Sequence, residues 1–171
     1  MVELRGRVRR LGDRVNTDYI ISSSRKKETL DPQQLKRWLL EAVDPAFAAS
    51  VQPGDLLVAD EAFGCGSAME VAVTVVLAAG IEAVVAKSFS RTYYRNAINN
   101  GLIPVECDTD GIGEGHFLAL HIGAERVTVS NETTGKKVAA RPFPPFVLAI
   151  LEAGGLVPYL RSNGGFREET Q

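Results

Sequence analysis

Phe63-Gly64-Cys65-Gly66-Ser67-Ala68-Met69-Glu70 runs into an apolar stretch from Val71 to Ala79 and stops at Gly80. The pattern predicts a tight glycine turn feeding a helix over 68–79, closed by the glycine. Ser67 and Glu70 have the S-x-x-E spacing of a capping box, in which the hydroxyl accepts from a free first-turn amide and the glutamate reaches back. Two readings of Ser67 are open. One is a cap and nothing more. The other is a reactive or binding group: Gly64 and Gly66 let the backbone approach a ligand, and unpaired amides at a helix start stabilise an anion or a serine alkoxide.

Working outward, Leu56-Leu57-Val58-Ala59 precedes this stretch and Ala83-Val84-Val85-Ala86 follows it. Continuous apolar runs of this length predict parallel strands covered on both faces. Thr92 to Asn100 then reads as a helix ended by Gly101, and Leu102 to Val105 as another strand. Strand–helix–strand–helix–strand order implies right-handed crossovers, with strand ends and helix starts gathered on the edge where ligands bind.

Upstream, Gly6 to Leu11 predicts a short strand and Asn16-Thr17-Asp18 a polar turn, with Tyr19-Ile20-Ile21 a brief strand after it. Ser22 to Thr29 reads as a flexible basic loop. Asp31 caps a helix with Pro32 in its first turn and Leu35, Trp38, Leu39 and Ala42 at helical spacing. Asp44-Pro45 opens another turn of helix. Downstream, residues 115–140 alternate as in antiparallel hairpins, and Pro142 to Pro145 leads to a last helix over 146–153. The expected fold is one α/β domain over 1–171, with a parallel central sheet, flanking helices and a smaller antiparallel layer.

With 171 residues, 45% of them hydrophobic, the chain can bury a sizeable core. Nineteen Lys and Arg against 21 Asp and Glu give a net charge of -2, which argues against a nucleic-acid surface. Arg5, Arg7 and Arg9 alternate, as on the solvent face of a strand. Met1 to Arg10 is charged, unlike a signal peptide, and no apolar run reaches the roughly 18 residues of a membrane span. A cytoplasmic protein without a membrane partner is expected. Cys65 and Cys107 form no C-x-x-C pair and read as reduced thiols, too few for an iron–sulfur cluster. His116 and His121 have no carboxylate at ligand spacing, so no metal site is expected within this chain.

Four segments in order resemble the small subunit of the aconitase superfamily, specifically of 3-isopropylmalate dehydratase and homoaconitase. They are Gly12-Asp13-Arg14-Val15-Asn16-Thr17-Asp18-Tyr19-Ile20-Ile21, then Phe63-Gly64-Cys65-Gly66-Ser67, Ala86-Lys87-Ser88-Phe89-Ser90-Arg91 continuing to Leu102, and Leu151-Glu152-Ala153-Gly154-Gly155 continuing to Leu160. The resemblance implies a swivelling-type β/β/α lid that closes over a 2-hydroxy diacid at the interface with a separate large subunit. That partner would carry the [4Fe-4S] cluster, and none would be bound by this chain. The reaction removes water from the substrate and returns it with the hydroxyl on the next carbon.

By the same resemblance Ser67 is the base in alkoxide form and Asp18 the acidic residue of the T-D-x-I motif near the active site; without the resemblance Asp18 reads first as a turn-capping Asp. Ser24, Arg25, Lys26 and Lys27 lie in the specificity loop, and Gly66, Ala68 and Met69 line the substrate with Ser67. The sequence departs from the family's Gly-Ser-Ser-Arg-Glu, since Ala68 and Met69 replace the second serine and the carboxylate-gripping arginine. The basic loop either supplies a replacement charge or is solvated until the large subunit binds. 3-Isopropylmalate is the default substrate, with homoaconitate or another substituted malate as alternatives. Two other classes stay open: a paralogue without catalysis, and a self-sufficient enzyme using Cys65 as nucleophile.

Overall fold

The computed structural model describes residues 1–165, so the last residues of the expected 1–171 domain lie outside it. The chain opens with a long strand, β1 (Val2–Arg10), and then three one-turn helices, α1 (Thr17–Ile20), α2 (Ser23–Lys26) and α3 (Pro32–Leu35). A 3-10 turn at Lys36–Trp38 and the short α4 (Phe47–Ser50) lead into β2 (Leu56–Val58). The alternation expected next is present: α5 (Val71–Ala78), β3 (Ala83–Ala86), α6 (Arg91–Asn100) and β4 (Ile103–Glu106). Three antiparallel strands follow, β5 (Phe117–Ile122), β6 (Val127–Asn131) and β7 (Lys137–Ala140), then α7 (Pro145–Glu152) and α8 (Leu156–Asn163).

All seven strands form one sheet in the order β4-β3-β2-β1-β5-β6-β7. β1 joins its two halves. One edge pairs parallel with β2, Val8 opposite Leu56, and the other pairs antiparallel with β5, Leu4 opposite Leu120. The sheet curls until its two outer strands approach. Arg141, just past β7, donates its main-chain N–H to the Glu106 carbonyl at the end of β4 (2.8 Å), and its guanidinium pairs with the Glu106 carboxylate (3.0 Å).

The period-two geometry of β2 and β3 divides the core. Leu57, Val84 and Ala86 face one cluster, shared with Ile20, Leu35, Phe63, Val73 and Val76 of the elements around α1, α3 and α5. Leu56, Val58, Ala83 and Val85 face the other, with Leu118, Leu120, Val129, Leu148, Leu151 and Tyr159. Burial on both faces is why these strands read as unbroken apolar runs. β6 is covered on one face and alternates instead.

Four local expectations are corrected. Tyr19-Ile20-Ile21 is not a strand. The Asn16 side chain accepts from the Asp18 amide (2.9 Å) and starts the one-turn helix α1. The basic loop at Ser22 to Thr29 contains α2, and a further helix, α8, follows Gly155 with Pro158 tolerated in its first turn. Arg9 is not on a solvent face. It is 7% exposed, stacked on the Phe47 ring and paired with Asp55 and Glu114.

Candidate active site

The parallel strands β1 to β4 all deliver their carboxyl ends to one edge, and the loops leaving those ends meet there. The loop after β2 carries Phe63 to Ser67. It is clamped from two sides. The loop after β3 exchanges two main-chain bonds with it, Phe63 N–H to Ser88 O and Ser90 N–H to Phe63 O (both 3.0 Å), and the Ser90 hydroxyl donates to the Gly64 carbonyl (2.7 Å). From the other side, Gly64 donates to Val15 and Thr17 donates to Cys65 (both 2.8 Å).

The two glycines of this turn serve packing within the chain. Gly64 and Gly66 have φ +77° and +96°, a region costly for other residues. A Cβ on Gly64 would sit 2.2 Å from the Tyr93 ring, and one on Gly66 2.5 Å from the Asn16 amide. Tyr93 is fully buried, which raises its phenol pKa, and its hydroxyl donates to the Ala72 carbonyl at 3.0 Å. The clamp therefore also ties α6 to α5.

Ser67 does not cap a helix. α5 begins at Val71 with Glu70 at its N-cap position and no side-chain cap bond, so the capping box is not formed and Ser67 stands ahead of the first turn. The stabilisation expected from first-turn amides at Ser67 is withdrawn with it. Gly66, Ser67 and Ala68 are exposed, and among the described residues no group hydrogen-bonds the Ser67 hydroxyl. Ser67 is tied instead through its carbonyl, which accepts from the Thr17 hydroxyl at 2.8 Å.

That contact places Ser67 beside α1 and hence beside Asp18, half-buried, whose carboxylate accepts from the Ser23 hydroxyl (2.8 Å) at the start of α2. Because Asn16 is the cap, Asp18 is free of that duty. The loop residues divide sharply. Arg25 forms a two-point pair with Glu41 (2.8 and 3.1 Å), a further bond to Glu28 (3.1 Å), and stacks 4.5 Å over Trp38. Glu41 leads in raising its pKa, and the guanidinium is committed to these partners. Ser24 bonds the Ser22 hydroxyl (2.8 Å), and Lys27 is exposed. Lys26 is different: its ammonium lies against the sulfur of Met69, which is 8% exposed. The cation and the residue standing in the arginine's place meet.

The remaining candidate groups do not assemble a metal site. The Cys65 thiol faces the Arg14 carbonyl (3.5 Å), and burial pushes Cys107 up to about 11. His116 Nδ1 accepts from the Gly113 amide (3.1 Å) and lies 3.0 Å from the Asn131 side chain, as a structural histidine does. Among the described residues no three His, Cys, Asp or Glu converge as a metal would need. Nor is any helix among them long and apolar enough to cross a membrane.

Residues 8–110 match the model of the aconitase C-terminal domain, which takes in both clamped loops and the loop of α2. The chain belongs to the aconitase C-terminal domain family. It is 41% identical to a 3-isopropylmalate dehydratase small subunit of Heliobacterium modesticaldum, over 95% of this chain and 97% of that protein. It is 40% identical to a methanogen homoaconitase small subunit of Methanocaldococcus jannaschii, over 94% of this chain and 92% of that one. A crystal structure of 3-isopropylmalate dehydratase from the same organism superposes with TM-score 0.89 at 39% identity, covering 95% and 96% of the two chains. Within this family the fold expected from the sequence is the fold observed. Thr17 and Asn16 were not singled out as site residues. Their signal was a threonine between two polar neighbours that nonetheless becomes buried, which only the tertiary structure reveals.

Proposed function

We propose that this chain is the small subunit of a two-subunit hydro-lyase that isomerises 3-isopropylmalate by removing water and adding it back. The large subunit carries the [4Fe-4S] cluster, and this chain contributes proton transfer and substrate seating. The observation that carries the reading is the meeting of two segments 50 residues apart in sequence, Thr17-Asp18 and Ser67, on the carboxyl edge of the parallel sheet. Full-length similarity to small subunits of that enzyme agrees with it.

In this reading Ser67 takes the proton from the carbon next to a carboxylate and returns it on rehydration. An exposed hydroxyl with no partner among the described residues is available to a substrate brought by another subunit. Serine is a weak acid, so its alkoxide needs positive charge nearby. Lys26, held against Met69 two residues further on, supplies charge on this edge and seats a substrate carboxylate in the arginine's stead. The same cation favours a second reading, homoaconitate, whose distal substituent is itself anionic.

Ser67→Ala in the assembled enzyme tests the assignment. Loss of a general base lowers the rate by roughly 10²–10⁴-fold, and because Ser67 caps no helix the variant should keep its melting temperature. Activity within a few-fold of wild type would remove Ser67 from the chemistry.

A further inference from the structure

The turn that presents Ser67 is bonded unevenly. Up to Cys65 the main chain is clamped on both sides, and from Met69 it is bonded into the start of α5, Ala72 donating to the Met69 carbonyl at 3.2 Å. Between them, among the described residues, Gly66, Ser67 and Ala68 make no main-chain to main-chain hydrogen bond. All three are exposed. Among the described residues, the hydrogen bond that holds this span is the one from the Thr17 hydroxyl to the Ser67 carbonyl.

We propose that Thr17 is a positioning residue for Ser67: its hydroxyl fixes the Ser67 peptide unit and so sets where the Ser67 side chain meets the substrate. The inference rests on the reading of Ser67 as the base. Thr17 is suited to the task because it is itself immobile. It is 1% exposed, its N–H donates to Cys65, and the next residue back, Asn16, pairs with Cys65 and packs against Gly66. Its carbonyl accepts from Ile21, closing α1. A buried hydroxyl on a fixed backbone holds its acceptor within a few tenths of an ångström, and misplacement of a reacting group by about 1 Å costs on the order of 10²-fold in rate. Thr17 touches no substrate in this account. Asp18, the neighbouring residue, is tied to α2 through Ser23, so the same short helix sets Ser67 against the loop that carries Lys26.

The test compares Thr17→Val, which keeps shape and removes the hydroxyl, with Thr17→Ser, which keeps the hydroxyl, each assembled with the large subunit. Thr17→Val should lower kcat about ten- to a hundredfold with KM within about twofold, and Thr17→Ser should restore most of the rate. Backbone 15N order parameters of residues 66–68, measured on the intact chain, should fall in Thr17→Val and not in Thr17→Ser. That second readout does not depend on what Ser67 does. If Ser67→Ala is inactive but Thr17→Val keeps wild-type kcat and unchanged order parameters, the positioning role is wrong and the base assignment stands. If Ser67→Ala is active, the base assignment is wrong, and the order parameters alone decide whether Thr17 holds the turn. Equal damage from both Thr17 variants would assign the effect to packing and overturn the proposal.

Discussion

At the scale of single residues, Met69 stands where the family pattern that the sequence resembles has an arginine. A thioether cannot make the two-point, charge-assisted bond of a guanidinium to a carboxylate. In the proposed reading the charge comes from a neighbour in another segment: the Lys26 ammonium rests on the Met69 sulfur, while Arg25 beside it is spent on Glu41 and Glu28. That reading separates the two ways of restoring charge. Met69→Arg would force a guanidinium against an existing ammonium in a position only 8% exposed. It should lower activity by roughly tenfold, consistent with like charges packed at close range. The double variant Met69→Arg with Lys26→Ala should recover part of the loss. Steady-state kinetics of the three assembled enzymes check this. A gain from Met69→Arg alone would mean that Lys26 does not occupy the carboxylate's place.

The same scale shows where local sequence misleads. Ser67 and Glu70 have ideal capping spacing, yet the Thr17 contact pulls the Ser67 carbonyl away and the helix starts later. Spacing alone did not expose the competing bond, because its donor lies 50 residues away. Arg9 misleads in the opposite way. Its alternation with Arg5 and Arg7 predicts solvent, but α4 covers that end of the strand and supplies Phe47 and Ser50 as partners.

At the scale of elements, the buried strands and the longer helices were legible because burial and periodicity are local signals. The span read as 92–100 is α6, and Gly101 does adopt a left-handed φ of +82°. The one-turn helices were not legible. Tyr19-Ile20-Ile21 has strand-like side chains, and a single cap bond from Asn16 outweighs that preference. α8 was hidden because Gly154-Gly155 reads as the cap that closes the helix over 146–153, which hides a helix starting straight after it.

Charged groups at the carboxyl ends tie these elements together. Asp60, just past β2, accepts from Arg10 at the end of β1 (2.7 Å) and from Thr109 past β4 (2.9 Å). The Arg10 bond leads in holding its carboxyl below the usual value of 3.8, against a smaller opposing effect of burial. A folded-state pKa lower than the unfolded one adds stability above about pH 4, and that stability is lost as pH falls through the folded value. Urea denaturation should therefore find wild type more stable than Asp60→Asn by about 1–3 kcal/mol at pH 6, with the gap narrowing below about pH 4. A gap that stays constant into acid would show that Asp60 is not held by its charge.

At the scale of the whole molecule, the curled sheet is a scaffold with one working edge. β1 is paired on both sides, and Arg141 closes β7 against β4, so the loops after β1, β2 and β3 are carried by a continuous hydrogen-bonded frame. That frame presents Ser67, Asp18 and Lys26 together but holds no group of residues able to bind a metal among those described. In the proposed reading the site is half of one: this chain offers a base and a seat for the substrate, the Lewis acid comes from the large subunit, and turnover needs both. The direct measurement is the rate of water loss from 3-isopropylmalate, followed by the absorbance of the unsaturated diacid, for this chain alone, the cluster-bearing large subunit alone, and the two mixed. Turnover confined to the mixture, and saturating as this chain is added, is the predicted result. Turnover by this chain alone, or none when it is mixed with a competent large subunit on any 2-hydroxy diacid, would contradict it.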